Sequence, residues 1–582
     1  MNKIFKVVLL VLSLFLWNVL TSCKDHTEFF ITYELDGGSL DNPITTYHPN
    51  EQVILPTPIK EGHLFDGWYD NSYFYGESIE YIEKSSTGDK VFYAKWNRNL
   101  DPLGLGFNKK EFNGNGITFG IKVRPASNFD PFNEDYDKPD KVLKQSLQKA
   151  VETSYNVKIV YSEYGNDAPW GPDRLKYIQM SFQDKSFLKD NIYAVDISSL
   201  WIPSLVKADV LMELYDVKNN SGFFKELNYL KSNASNEMYS VQNKVYGYET
   251  TPVIGDNYLY YNIDKINELK LEDPAKLWFK GEWTWSNFDN WVKKAQEKLD
   301  SFECAVDFMV ADYVIGTCSA FGTTIVSKNN MSINFQHPNV KRAFDRIKYY
   351  YENNYQNIKH GTHDVTSEFL NGKTLLHTGQ LWYLEDELRF NQELDFQIGI
   401  VPYPIDDNQP IEVLTNPSNN DNLNETSSPV LDRNNDVLKT NDEEPIYGID
   451  LTKTTYKNAV TSNNNVFSII NYPEDTSLIP GFVRLNILHD LYNTLNDEKN
   501  FTSDIKNIVN YDIDYRIIMS VQKSEYLAYD AVAVVSASLP NTFFTPNWYQ
   551  ISNMYLLKED PIEQYLNQYY ESYYKTLTKI YE

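Results

Sequence analysis

The sequence predicts an α/β protein in two parts: a small β-rich unit, then a much larger unit in which strands and helices alternate. Three observations predict this. Residues 29–97 read as short strands with alternating faces, broken by glycine and proline turns. Residues 98–116 are rich in Asn, Gly and Pro and have no hydrophobic period, which marks a linker. From Ile117 an apolar strand (Ile117–Val123), an amphipathic helix (Lys138–Ser154) and a second strand (Val157–Tyr161) follow in βαβ order. That order implies a parallel crossover.

Composition narrows the function. Of 582 residues, 42% are hydrophobic, enough for a sizeable core, and 15% are aromatic, which supplies stacking surface. Fifty-three Lys and Arg stand against 80 Asp and Glu, a net charge of −27. Nucleic-acid binding relies on Lys and Arg to neutralise phosphates, so it is excluded, and so is attraction to anionic lipid through a basic patch. Three cysteines cannot form a disulfide framework; Cys304 and Cys318 either pair or serve as two small buried hydrophobes.

Residues 1–22 have the form of a targeting segment. Lys3 and Lys6 precede the apolar run Val7–Leu20, which is too short to span a bilayer core of about 30 Å unaided. It ends in Leu20-Thr21-Ser22-Cys23, which resembles a bacterial lipobox. The resemblance implies cleavage before Cys23 and lipid attachment to its sulfur, with 23–28 as a tether. Within 29–97, FFITYELDGGSL gives a strand and a Gly37-Gly38 turn, Gln52–Leu55 gives another, and KVFYAKW closes the unit. Phe65, Trp68, Tyr93 and Trp96 are the expected core, because a domain this small needs its few large apolar groups inside. The succession L-D-G-G, L-P-x-P-x-K-x-G, F-x-G-W-Y and Y-A-K-W resembles the InlB B-type (Listeria–Bacteroides) repeat. A β-grasp-like unit serving as spacer or adhesive module is what that implies.

In the larger unit, Ala194–Ile197 is the third strand and Trp201-Ile202-Pro203 follows it. In open α/β sheets ligands sit beyond the carboxyl ends of strands, which places Ser198–Trp201 at the rim of a site. Leu277–Leu299 carries Trp283-Thr284-Trp285, with Ser286 as a helix N-cap. Pro338–Tyr351 is an amphipathic helix. Glu368–Pro404 then runs helix end, strand Thr374–Thr378, a Gly379 corner, Trp382-Tyr383, a second helix and the strand Phe396–Val401. Residues 408–444 are polar and Asn/Asp-rich and are expected to be an exposed or disordered insertion. Asp432, Asn434, Asp436 and Glu443 there match an EF-hand spacing, but Val437 replaces the glycine that loop requires. Asp560–Tyr581 is an aromatic-rich C-terminal helix expected to dock on the second lobe.

Three stretches carry a resemblance in family order: V-D-I with W-I-P at 195–203, N-K-V-Y-G to Y-Y-N at 243–262, and N-G-K to G-I-V-P-Y-P at 371–404. They resemble the family 1 extracellular solute-binding proteins of ABC importers. The resemblance implies a two-lobed periplasmic-binding-protein-like fold over 117–582, hinged by crossing strands near Thr250–Ile254 and near Ile398–Val401 and closing on a carbohydrate or other polar small molecule. Trp382, Tyr383, Trp201 and Asp256 are the implied ligand contacts, with Trp170 as a gate. The partners implied are ABC permease subunits and, through Cys23, the membrane; no cofactor or catalytic residue is implied. No G-x-S-x-G, H-E-x-x-H, Walker A or C-x-x-C motif occurs. His360, His363 and Asp364 share a glycine-containing turn and read as a solvated loop rather than a metal site. The alternative function is surface adhesion through the repeat; a glycan-degrading lipoprotein is a more distant third.

Overall fold

The computed structural model describes residues 28–60, 63–98 (apart from 73 and 75–77), 112–216 (apart from 139), 232–357 (apart from 251, 252 and 256), 365–417 (apart from 387 and 388), 428–492 (apart from 474–476) and 505–582 (apart from 541, 543 and 544). The targeting segment, the lipobox, most of the linker and the His360–Asp364 turn lie outside the described residues. The chain divides into two compact units, Met1–Phe112 and Asn113–Glu582.

The first unit is a mixed sheet of β1 (Phe29–Glu34), β2 (Thr46–Tyr47), β3 (His63–Tyr69) and β4 (Lys90–Arg98) in the order β2-β1-β4-β3. Strands β1 and β4 are parallel, so the chain must cross over between them, and no helix occurs among the described residues 28–98. Alternation puts Ile31, Phe92 and Ala94 inward against Trp68, Tyr47 and Val53. Phe65 and Trp96 pack on this core, as expected. Tyr93 does not belong to it. Side chains alternate across a strand, so once Phe92 and Ala94 face in, Tyr93 faces the other way. Trp68 satisfies its indole N–H on the Pro56 carbonyl at 2.8 Å. Burial of one such ring contributes on the order of 2–3 kcal/mol.

The two largest sheets of the second unit, among the described residues, have five and four strands. One consists of β5 (Ile117–Val123), β6 (Val157–Glu163), β7 (Ile192–Ile197), β8 (Tyr248–Glu249) and a later strand, β13 (Val466–Ile469), in the order β8-β13-β7-β5-β6. Strands β5, β6 and β7 are parallel, with Ile117 opposite Val157, and helix α1 (Lys141–Tyr155) makes the predicted crossover from β5 to β6. Asn156, in a left-handed conformation at φ 49°, ends α1. The other sheet consists of β9 (Asn257–Asn262), β10 (Cys304–Asp307), β11 (Thr374–Gln380) and β12 (Ile398–Val401) in the order β10-β11-β9-β12. The chain passes from the first sheet to the second between β8 and β9, where a crossing near Thr250–Ile254 is expected.

The return crossing lies elsewhere than predicted. Strand β12 is an edge of the second sheet, paired with β9 (Leu259 opposite Val401), and not a crossing. Tyr403 just beyond it stays in that lobe, packed on Tyr313 of helix α2 (Val310–Ala320). The chain returns only at Thr461–Asn465, between a short strand Asn458–Val460 and β13.

Three local expectations are also corrected. Gly379 is not a corner. It lies within β11 opposite Tyr258, and a Cβ there would come within 2.8 Å of the Tyr260 ring and 3.0 Å of Tyr383, so it is glycine because two rings press on the backbone. No α-helix lies between Trp382 and β12 among the described residues; a single 3₁₀ turn, Leu381–Leu384, leads on. Ser286 is not the N-cap of its helix, which runs Trp285–Gln296 with Thr284 at the cap position. Trp283 and Trp285 are both buried, and Ser286 instead donates its hydroxyl to Asp407 at 2.9 Å.

The described part of 408–444 is largely exposed, one of the two expectations, but it is folded rather than disordered. Val430 and Leu438 are buried in a hairpin closed by Leu438 N–H to Val430 O (2.8 Å) and Ile446 N–H to Leu438 O (2.9 Å). Arg433 on this hairpin reaches into the lobe and donates to Asp273, to both oxygens of Asp514 and to the Tyr261 hydroxyl. Composition missed this because one fully paired arginine, rather than an apolar face, holds the segment. Cys304 and Cys318 are separate thiols. The C-terminal helix α3 (Ile562–Tyr581) follows the predicted bounds within two residues, with its Tyr565 and Tyr573 buried.

Candidate functional site

The ends of the parallel strands in the first sheet bring charged and aromatic groups together. Strand β5 delivers Arg124, and β7 delivers Asp196 one residue before its end. The Arg124 guanidinium grips the Asp196 carboxylate with two N–H bonds, Nε to Oδ2 at 2.8 Å and Nη2 to Oδ1 at 3.3 Å. Asp196 is fully buried, and burial pushes its carboxyl up to about 6 even though Arg124 opposes the shift. Ser198 caps the turn Ser199–Trp201 by accepting the Leu200 N–H, and this aims Trp201 at the sheet end. Trp170, from the loop after β6, meets Trp201 with ring centroids 4.7 Å apart. Trp201 is 8% exposed and Trp170 is 42% exposed. Two guanidinium carbons lie over the Trp170 ring, Arg124 at 4.7 Å and Arg174 at 5.2 Å from its centroid. Such contacts contribute about 0.5–2 kcal/mol each and fix the indole's position.

The return crossing borders this cluster. Arg124 Nη2 also donates to the Asn464 carbonyl and, at 3.0 Å, to Asn465 Oδ1. Ser198 Oγ donates to Asn464 Oδ1 at 2.8 Å, and the Ser199 N–H to the Asn463 carbonyl at 2.8 Å. The crossing residues and the strand-end residues therefore form one hydrogen-bonded rim.

On the second sheet the corresponding feature stands at the end of β11. Its last residue, Gln380, pairs with Asn257, the first residue of β9 after the other crossing, so this end too lies where the chain passes between sheets. Trp382 is 40% exposed, and Tyr383 beneath it is 2% exposed, with rings edge to face at 4.7 Å. Tyr383 rests on Phe390, which rests on Tyr260, whose hydroxyl donates to the Gln380 carbonyl at 2.9 Å. Arg389 covers one side of Trp382 at 4.3 Å, and its charge is matched by Asp386 at 2.9 Å.

Of the residues picked out from sequence, the structure joins Trp170 to Trp201 and Trp382 to Tyr383. Among the described residues no ring contact links one pair to the other. Asp256 and Cys23 lie outside the described residues. Sequence reasoning missed Arg124, Arg174, Asp196, Asn463–Asn465 and Arg389. A signal existed for the first and third of these: a lone arginine directly after an apolar strand and an aspartate inside another are costly unless they meet. Among the described residues no group of three metal-ligating side chains occurs. Asp432 of the EF-hand-like stretch accepts from Lys276 and from two backbone N–H groups in its own hairpin turn. The arrangement presents flat aromatic faces, each braced by a buried ring and a guanidinium, with fixed donors beside them. That is equipment for binding.

Residues 29–95 match the Listeria-Bacteroides repeat domain, and residues 189–426 match the bacterial extracellular solute-binding protein family. The two matched stretches follow one another in the chain, the repeat first, and each covers less than half of it. A Gly-rich membrane protein of Evansella cellulosilytica is 32% identical over 73 residues, which is 12% of this chain; the match spans only 8% of that relative's length. Among solved structures, the cyclic alpha-maltosyl-1,6-maltose binding protein of Arthrobacter globiformis is similar at 11% identity, covering 79% of this chain and 99% of its own, with a TM-score of 0.48. The sugar-binding protein MalE of Xanthomonas citri is similar at 10% identity, covering 80% and 98%, with a TM-score of 0.46. At those scores the two-sheet description rests on the chain's own topology.

Proposed function

From the solute-binding match, we propose that the protein captures a carbohydrate between its two sheets and passes it to the permease of an ABC importer, while Cys23 holds it by lipid to the outer face of the membrane. The observation that carries the carbohydrate reading is the pair of exposed indoles, Trp170 and Trp382, each at a sheet end where the chain crosses between lobes. An indole face offers a sugar C–H face about as much area as a small apolar contact, and the neighbouring amides and guanidinium groups offer donors to hydroxyls. Closure would follow from contacts that only the closed state makes to both indoles at once. The repeat of residues 29–95 then acts as a spacer in the chain between Cys23 and the binding unit. Titration of intrinsic tryptophan fluorescence with mono- and oligosaccharides tests the reading. A saturable shift is expected, moved by Trp382→Ala to about thirtyfold higher saccharide concentration. No shift with any saccharide would overturn it.

A second reading, adhesion through the repeat, is favoured by one observation: Phe30, Ile54, Ile59 and Val91 all expose apolar side chains there. Loss of cell-surface attachment to a partner on deletion of 29–95, with saccharide binding unchanged, would separate this role from the first.

A further inference from the structure

The two indole sites differ in charge. At Trp382 the single guanidinium, Arg389, is matched by Asp386. At Trp170 there are two guanidinium groups and one carboxylate. Arg124 and Asp196 cancel. Arg174 is 8% exposed and donates Nε to the Ala168 carbonyl at 2.9 Å; its Nη1 is buried without a hydrogen-bond partner. Among the described residues no carboxylate pairs with it. Lys122, behind Tyr164, is also positive, but Asp167, Glu163 and Asp190 surround it. A buried cation without a counter-charge is costly, and in a chain of net charge −27 carboxylates are abundant, so the unmatched charge beside an exposed indole calls for an anion from outside.

A group that could receive that anion is in place. Arg124 uses Nε and Nη2 on Asp196, Asn464 and Asn465, which fixes the guanidinium plane. Among the described residues its Nη1 has no hydrogen-bond partner and is not a buried atom, so its N–H donors are free on a rigid mount next to Trp170. Neutral sugars need only hydroxyl-directed donors. A rigid guanidinium with spare donors, backed by a second, unmatched guanidinium, suits a charged oxygen group.

We propose that the solute is an acidic saccharide, and that its anionic ring lies against Trp170 and Arg124 while a neutral ring lies against Trp382. This rests on the carbohydrate reading above and narrows it to a substrate class. The carboxylate of a uronic acid and a sugar sulfate ester share the required chemistry, and the test distinguishes them. Arg124 is the contact. Arg174 acts through the field behind Trp170.

The experiment uses the full chain and isothermal titration with an oligogalacturonate, a neutral malto-oligosaccharide of equal length and a sulfated disaccharide. The acidic saccharide is expected to bind about ten- to a hundredfold more tightly than the neutral one, as a charge-assisted hydrogen bond would give. That preference should shrink as sodium chloride rises from about 50 to 500 mM, because an ion pair at a partly open site is screened. Arg174→Gln, which leaves the Arg124–Asp196 pair intact, should reduce the preference severalfold, because uronate affinity falls by more than the neutral-sugar affinity that the loss of bracing on Trp170 also lowers. The salt series needs no variant, so misfolding of Arg174→Gln would not protect the proposal. Sulfated ligand binding as tightly as the uronate, with the same salt dependence, keeps the anionic class and names sulfate as a source. Neutral sugar binding as tightly as both overturns the acidic assignment and leaves the carbohydrate reading standing. If no saccharide binds, both fall.

Discussion

Beyond the ends of β6 and β7 an exposed Trp170 leans on a buried Trp201, and beyond β11 an exposed Trp382 leans on a buried Tyr383. The two mounts are alike in form and unlike in what holds them. Trp170 stands on a loop, braced from the side by Arg124 and Arg174, and its surroundings are tied to Asn463–Asn465 of the return crossing. Trp382 stands one turn from a central strand, on a stack of rings running through Phe390 to Tyr260. The first is an electrostatic mount tied to the stretch by which the chain returns from one sheet to the other. The second is a packed mount within one lobe. The contrast teaches which perturbation each should feel: charge at Trp170, shape at Trp382.

The sharpest attack on the packed mount is Gly379→Ala. A Cβ there meets the Tyr260 ring at 2.8 Å and Tyr383 at 3.0 Å, so the strand or the rings must shift. A loss of about 3 kcal/mol is expected, read as a fall in the denaturation midpoint, together with weaker saccharide binding. A variant as stable as the parent would mean the stack is looser than described. Next in size, Trp382→Ala should remove about 2 kcal/mol of binding, roughly thirtyfold in Kd, at unchanged melting temperature, since the indole is exposed.

Buried acids set a smaller, pH-dependent contrast. In the second lobe Asp312 is buried, its Oδ2 has no partner, and burial pushes its carboxyl from 3.8 up to about 7. In the first lobe Asp196 has Arg124 and rises only to about 6. A carboxyl raised on folding stabilises the protein while protonated, and that contribution is lost as pH rises through the folded value. Asp312→Asn should therefore gain on the parent as pH goes from about 5 to 8, by on the order of 1–2 kcal/mol. A pH-independent difference in melting temperature would show that Asp312 is already ionised. The smallest effect expected is that of Arg389→Gln. Its charge is already matched by Asp386, so uronate affinity should change less than about threefold, against the severalfold loss of preference for Arg174→Gln.

Much of the fold was legible because its signals are local. Ile117–Val123 and Ile562–Tyr581 fall close to their predicted bounds, since apolar period and glycine or proline breaks lie within a few residues of what they control. The exposed tryptophans were legible as residues after strands, where side chains leave the sheet. Their bracing was not. Arg124 and Asp196 are 72 positions apart, and Arg124 and Asn464 are 340 apart. Tyr93 failed by a single step of strand alternation, and Gly379 failed because its reason is two rings, one of them 119 positions away in sequence.

By itself the sequence determined that a β-rich repeat precedes a larger α/β unit, that strands β5 to β7 run parallel, and that aromatic residues follow the strand ends. Those are consequences of side-chain period and of backbone groups that must pair close at hand. Tertiary structure alone decided that the return crossing is Thr461–Asn465 rather than β12, that the polar hairpin at Arg433 is folded down, and that, among the described residues, Arg174 beside Trp170 pairs with no carboxylate where Arg389 beside Trp382 pairs with Asp386. Each of these depends on which distant carboxylate, amide or ring a side chain meets once the chain has closed, and an energy shared between residues hundreds of positions apart leaves no local pattern in either of them.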